Sequence, residues 1–235
     1  MKSLGIIPAR GGSKSIPWKN IKKLAGKPLI VYTIEAALAS KINRVIVSTE
    51  SKRIVNIAKE YGVEVKNRPP ELAQDDTPTI PVLQNVVKNL DEKFDCVLCL
   101  QPTSPFRTSK HIDEALKLYE FDIEAASLVS VVKVPHNMNP NSIMKINERG
   151  YLDNFIEQEN LLLRRQEKPI FYARNGPAVL IMDINNLQSG ELYTGKTIPY
   201  VMDIISSIDI DDENDLMIAE RIVDLDSAEK SSNIS

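Results

Sequence analysis

Histidine and cysteine are scarce in this chain of 235 residues, at two each, and the shortage removes several chemistries. Of the two histidines, His111 falls in the first turns of an expected helix and should be exposed. His136, in VPHNMNP, is placed to line a pocket but has no recognisable carboxylate partner, so a Ser-His-Asp relay lacks its base. The patterns G-x-S-x-G, H-E-x-x-H and G-x-G-x-x-G are missing, which leaves serine hydrolases, zinc proteases and dinucleotide oxidoreductases without support. Cys96 and Cys99 lie in the apolar run FDCVLCLQP, where strand geometry sends residues at odd spacing to opposite faces. Zinc would require a second pair, so both cysteines are expected as reduced core residues.

Aromatic residues make up only 6% of the chain and no stacking motif occurs, so nucleic acid is a poor partner despite a basic N-terminal stretch. No apolar run is long enough to span a bilayer, and the opening one is too short for a signal-peptide core. A soluble cytoplasmic protein with no membrane partner is expected. With 43% hydrophobic and 26% charged residues the chain can bury a substantial core, as one domain of about 1–230 with an insertion and a flexible tail at 231–235.

The net charge of -3 hides an uneven distribution. Residues 1–34 carry seven cations and no acid, whereas residues 203–220 carry seven acids and neither Lys nor Arg. A fold that joins these regions would set an anion cradle beside a cation site. Separate, solvated charged faces are the alternative.

Apolar runs of strand length alternate with helical patterns: strands at 3–7, 44–48, 63–65, 96–100 and 125–132, helices at 28–40, 51–62, 79–90 and 109–120. This alternation predicts right-handed βαβ units, a Rossmann-like α/β fold with a mostly parallel sheet and helices on both faces. Ligands in such folds bind beyond the carboxyl ends of the strands, which singles out the loops at 8–27, 66–78 and 101–108. From about 134 to 178 the rhythm breaks into Asn-, Pro- and Arg-bearing sequence, read as an insertion. Strands at 177–183 and 197–203 follow, then a last helix at 213–225 and a frayed polar end.

Three stretches carry chemistry. IPARGGSKSIPWKN, residues 7–20, fails the nucleoside-triphosphatase template because Pro8 and Ser13 stand where both glycines should be. It still offers glycine turns at Gly11 and Gly12 with Arg10, Lys14 and Lys19 around them, a composition suited to an anion. In SIDIDDENDL, residues 207–216, an extended backbone places Asp209 and Asp211 on one side, opposite Ile208 and Ile210. A hard divalent cation would relieve the repulsion between the two acids; a solvated strand edge is the competing reading, with Asp212, Glu213 and Asp215 at a helix start. LQPTSPFRT, residues 100–108, presents Gln101, Thr103, Ser104 and Arg107 at a strand's carboxyl end, suited to a polyhydroxylated ligand or to plain turn and cap formation.

Taken in order, IPARGGSKSIPWKNIKKLAGKPLI, VIVSTES, RPPELAQDDTPT, LQPTSPFRT, RRQEKPIFYARNG and SIDIDDENDLMIAE resemble the acylneuraminate cytidylyltransferases, which make CMP-sugars of sialic-type nonulosonic acids. The resemblance spans roughly residues 3–225. Ser15 stands where that family usually has Gly, Trp18 where a basic residue is common, and Pro177 where a small residue follows Asn-Gly. The resemblance implies that Ala9, Arg10, Gly11, Gly12, Ser13, Lys14, Lys19 and Asn20 form a CTP loop, with Arg68 and Thr79 near cytosine and ribose. It places Gln101, Thr103, Ser104, Arg165, Gln166, Tyr172 and Asn175 at the sugar, with Arg165 the candidate for its carboxylate. Asp209 and Asp211 would hold Mg²⁺ (or Mn²⁺), and the insertion would build a homodimer interface.

The expected reaction is in-line attack of the sugar's anomeric hydroxyl on the α-phosphorus of CTP, with Arg10, Lys14, Asp209 and Asp211 as the catalytic set. A non-catalytic nucleotide or CMP-sugar binder on the same fold, or an enzyme for another keto-sugar acid such as Kdo, is the alternative.

Overall fold

The computed structural model describes residues 1–156, 168–190, 192–193 and 195–232. Its centre is β1 (Ser3–Pro8), whose side chains alternate between two cores. Leu4 and Ile6 pack with Ile46 and Leu83 on one face, while Ile7 packs with Ile30 and Ile34 on the other. Full burial on both sides explains the near-continuous apolar run. A small pair, β2 (Lys23–Leu24) and β3 (Lys27–Pro28), leads into α1 (Leu29–Leu38). The chain continues through β4 (Arg44–Thr49), α2 (Lys52–Glu60), β5 (Glu64–Asn67) and α3 (Thr79–Lys88). Then come β6 (Cys96–Cys99), α4 (Ser109–Phe121) and β7 (Ala125–Lys133).

The insertion contains the hairpin β8 (Met144–Ile146) and β9 (Leu152–Asn154), paired only with each other among the described residues. After it, β10 (Tyr172–Arg174), β11 (Leu180–Asp183), α5 (Ile184–Ser189), β12 (Lys196–Met202) and α6 (Glu213–Ser232) complete the fold.

Strands β5, β4, β1 and β6 are mutually parallel. Beyond β6 lies β11, then β7, with β12 on the far side of β7 and parallel to it. The mostly parallel sheet is therefore present, with one difference: β10 and β11 both run antiparallel to β7, aligned successively along the same edge. Among the described residues of the connections that lead into them there is no crossover helix of the kind a parallel return needs. Helices α1, α2 and α4 contribute to the core on one face of the sheet, and α3 and α5 to the core on the other.

Cys96 and Cys99 are free, buried and on opposite faces, as their spacing requires; burial pushes both thiols up to about 12. Three expectations need correction. The last helix runs to Ser232 rather than 225, since no Gly or Pro interrupts that stretch. Residues 208–211 form no strand and belong to no sheet; the Ile210 amide donates to the Thr103 carbonyl at 2.8 Å instead. His111 is half-buried, its Nδ1 accepting from the Thr108 amide at 3.2 Å while Thr108 Oγ1 accepts from the His111 amide, closing a capping box.

Candidate active site

Parallel strands bring the loops after β1, β5 and β6 to one edge of the sheet, where they frame a cleft of about 370 Å³. Arg10, Gly12, Ser13, Lys14, Lys19 and Asn20 of the first loop line it. The loop is held from beneath: Asn20 Nδ2 donates to the Arg10 carbonyl at 2.9 Å. Two of the expected nucleotide contacts lie behind the cleft. Ala9 is buried, its amide bonded to the Ser48 carbonyl at 3.0 Å. The Gly11 amide donates to Glu50 Oε1 at 2.6 Å, and a Cβ at Gly11 would stand 3.0 Å from Ser51 Cβ. Gly11 thus lets the loop pack on β4's end rather than presenting its amide to a ligand.

The departures at Ser15 and Trp18 have structural roles. Ser15 Oγ donates to the Asp211 carbonyl at 2.5 Å, a bond glycine cannot make. Trp18 adopts φ 57° and Arg53 lies over its ring at 4.4 Å, so a cation is present beside a position that carries none itself.

The sequence did not distinguish Asp75 from Asp76, yet the structure does. Asp75 bridges both catalytic candidates of the opening loop, Oδ1 at 2.6 Å from Arg10 Nη1 and Oδ2 at 3.0 Å from Lys14 Nζ. The Lys14 hydrogen bond, helped by both cations' charge, holds its carboxyl below the ordinary range. Deeper in the cleft, Arg68 is buried and donates through Nη2 to the Ser48 carbonyl at 2.8 Å. Burial lowers its pKa, with Glu50 opposing. Thr79, the first residue of α3, lines the same wall.

Across the cleft stands the acidic segment. Ile210 is fully buried with Ile16, Leu24 and Leu29, so its neighbours Asp209 and Asp211 project the other way and line a second, open cleft of about 520 Å³. Asp211 lines both clefts and lies 3.1 Å from Lys19 Nζ. Burial, chiefly, and the charge of Asp211 raise the Asp209 carboxyl to about 6, against the Thr103 hydroxyl, which lowers it. Its Oδ1 is buried without a hydrogen-bond partner. An orphaned carboxylate oxygen beside a second carboxylate fits a hard divalent cation that completes its shell with water and phosphate. Asp212 and Asp215 do serve as helix-start groups: Asp212 Oδ1 accepts from the Asn214 and Asp215 amides at 2.7 and 3.1 Å.

On the expected sugar side, Gln101 and Thr103 line the first cleft, and Gln101 Nε2 donates to the Gly176 carbonyl at 3.1 Å. Ser104 is fully buried, and Tyr172 is exposed on β10, on the strand face it shares with Arg174, without itself lining either cleft. Asn175 is buried with its amide engaged throughout, accepting from Ser130 Oγ at 2.5 Å and donating to Ser207 Oγ at 3.0 Å. It ties β7 to the 203–207 turn instead of facing a ligand. Arg165 and Gln166 lie outside the described residues.

Sequence reasoning missed what Arg107 does. It is fully buried without an acidic partner and donates to the carbonyls of Gln101 at 3.1 Å and Ala178 at 2.8 Å and to the Thr33 hydroxyl. Burial lowers its pKa to about 10. It fastens together the two loops that flank Asp209.

The family model described as cytidylyltransferase matches residues 4–226. A CMP-N,N'-diacetyllegionaminic acid synthase of Legionella pneumophila is 36% identical over 231 residues, covering 96% of this chain and 97% of that protein. An N-acylneuraminate cytidylyltransferase of Escherichia coli is 35% identical over 219 residues, 93% of this chain. This chain spans 51% of that protein and 52% of a Streptococcus agalactiae relative with the same name. Among solved structures, a CMP:2-keto-3-deoxy-manno-octonic acid synthetase complexed with CTP superposes with a TM-score of 0.72 at 16% identity, covering 96% of this chain and 100% of that one. A 4-diphosphocytidyl-2C-methyl-D-erythritol synthase from Anaerococcus prevotii follows at 0.66 and 13%, covering 95% of this chain and 96% of that one. With the opening loop's cations facing Asp211 across one cleft, a family model matching residues 4–226 and a relative 36% identical over 96% of its length, the chain belongs to the cytidylyltransferase family.

Proposed function

We propose that the protein couples CTP to a nine-carbon nonulosonic acid, forming the CMP-sugar and pyrophosphate. The observation that carries this reading is the position of Asp211, which borders both clefts and touches Lys19 of the opening loop. A triphosphate in the first cleft and a sugar in the second would meet at the aspartate pair.

Lys14, Lys19 and Arg10 orient the phosphates and neutralise the β- and γ-phosphates as pyrophosphate leaves. Arg68 and Thr79 border the nucleoside end, and Gln101 and Thr103 border the junction of the clefts. The anomeric oxygen forms a bond to the α-phosphorus as the bond from that phosphorus to the bridging oxygen breaks; the hydroxyl proton leaves to solvent. Asp209 and Asp211 would hold Mg²⁺ or Mn²⁺, which when bound supplies positive charge at the α-phosphate and lowers the pKa of the attacking hydroxyl. No protein nucleophile is needed, since positioning and electrostatics supply the catalysis.

A homodimer is part of the proposal. Met144, Ile146, Leu152 and Phe155, on or beside the β8–β9 hairpin, are exposed among the described residues, Ile146 being 75% exposed. Such a patch favours burial against a second copy; sedimentation of the full chain measures it. The cytoplasm, where CTP is made, is the proposed compartment, in keeping with the absence among the described residues of any helix long and apolar enough to cross a membrane.

The test is pyrophosphate release from CTP and Mg²⁺ with N-acetylneuraminic, legionaminic and pseudaminic acids in turn. Release with at least one supports the proposal and identifies the acceptor. Tight CTP binding with no release from any of them would favour a non-catalytic nucleotide binder.

A further inference from the structure

The second cleft must solve an electrostatic problem, given the proposed reaction on which this inference rests. In a nonulosonic acid the carboxylate is bonded directly to the anomeric carbon, so it sits within a few bond lengths of the hydroxyl that attacks phosphorus. If that hydroxyl reaches the α-phosphate beside Asp209 and Asp211, the carboxylate arrives next to two acids. A cation has to face it on the side away from the nucleotide.

Among the described residues lining that cleft, Arg174 is the cation. It ends β10, directly before Asn175 and Gly176, and the neighbouring turn packs so tightly on the acid pair that a Cβ at Gly176 would lie 3.1 Å from Asp209 Cγ. Its guanidinium lies over the Tyr193 ring at 4.8 Å, which restrains the plane of the fork and leaves its N–H edge for an acceptor. None of the salt bridges among the described residues includes Arg174, although Arg10, Lys14 and Lys19 of the other cleft are all paired with acids. We infer that Arg174, braced by Tyr193, binds the carboxylate of the acceptor sugar and so selects 2-keto acids over neutral sugars. This assigns to a residue of β10 the role that family resemblance suggested for Arg165.

The test couples a side-chain change to a substrate change. For the nonulosonic acid that wild type accepts, KM for the acid should rise about 10- to 100-fold in Arg174→Met, the range of a charge-assisted hydrogen bond. KM for CTP should stay within about twofold, since the nucleotide lies in the other cleft. Arg174→Lys should recover only part of the loss, because an ammonium has no planar fork. The methyl ester of the same sugar, which lacks the charge, should be a poor substrate for wild type and no poorer for Arg174→Met. An unchanged acid KM in Arg174→Met, or equal losses for acid and ester, would overturn the assignment. Wild-type release of pyrophosphate in the same experiment tests the proposed function separately: release together with an unaffected variant removes Arg174 alone, whereas no wild-type release removes both.

Discussion

Lys19 Nζ lies 3.1 Å from Asp211 Oδ1, an ion pair between residues 192 positions apart in the chain. It joins the cation-rich opening loop to the acidic segment before α6 and closes the cleft between them. Asp211 is mostly exposed, so Asp211→Asn should leave stability within about 0.5 kcal/mol of wild type. Turnover should fall by about 100-fold or more, as expected when a preorganised charge at the reacting centre is lost. Paired melting and pyrophosphate assays check this, and wild-type turnover in Asp211→Asn would remove the metal assignment.

Asp75 occupies Arg10 and Lys14, the cations that the proposed mechanism assigns to the leaving phosphates. CTP must displace it, and ion pairs this exposed are weak and readily exchanged. Asp75→Asn should therefore lower KM for CTP, by about two- to tenfold at pH 7. The folded pKa of Asp75 is depressed, so its ion pairs exist above the ordinary carboxylate value and are lost as pH falls through the lowered one. The gap between variant and wild type should narrow in acid. A higher KM in Asp75→Asn would mean that the carboxylate contacts the ligand.

At Gly176, φ is +114°, and a methyl group there would stand 3.1 Å from Asp209 Cγ, so the carboxylate would have to shift by a few tenths of an ångström. Gly176→Ala combines backbone strain of about 1–2 kcal/mol with displacement of Asp209. The melting temperature should drop by about 2–8 °C, and turnover should fall much further than that destabilisation explains. Circular dichroism melts alongside kinetics separate the two effects.

Arg107→Met removes a buried charge but strands the Ala178 carbonyl, at about 1–3 kcal/mol when left unpaired, and leaves the Gln101 carbonyl only the Thr33 hydroxyl at 3.2 Å. A net loss of about 3 kcal/mol, seen as a melting point lower by about 6–12 °C, is expected. Chemical denaturation of the variant measures it.

Cys96 and Cys99 should resist iodoacetamide at pH 8 in the folded protein. Their thiols, raised to about 12 by burial, remain protonated and inaccessible. Both should react once the chain is unfolded in denaturant; rapid labelling of the native protein, followed by mass spectrometry, would contradict the buried placement.

Much of the frame was legible in the sequence. Alternating apolar runs located β1, β4, β6 and β7 and the helices between them, because a strand buried on both faces must be apolar almost throughout. The odd spacing of Cys96 and Cys99 separated their faces correctly. The antiparallel course of β10 and β11 was not legible, because each is short. Nor were the roles of Gly11, Asn175 and Arg107, whose partners Glu50, Ser130 and Ala178 lie far away along the chain.

By itself, the sequence determined the periodicity of the elements, the clustering of cations at one end and acids near the other, and the order of motifs that marks the family. Tertiary structure decided which of those polar groups face the clefts and which brace the scaffold. The reason is that a side chain's hydrogen-bonding capacity belongs to its residue type, while the partner that consumes or spares it is supplied by residues that only folding brings near.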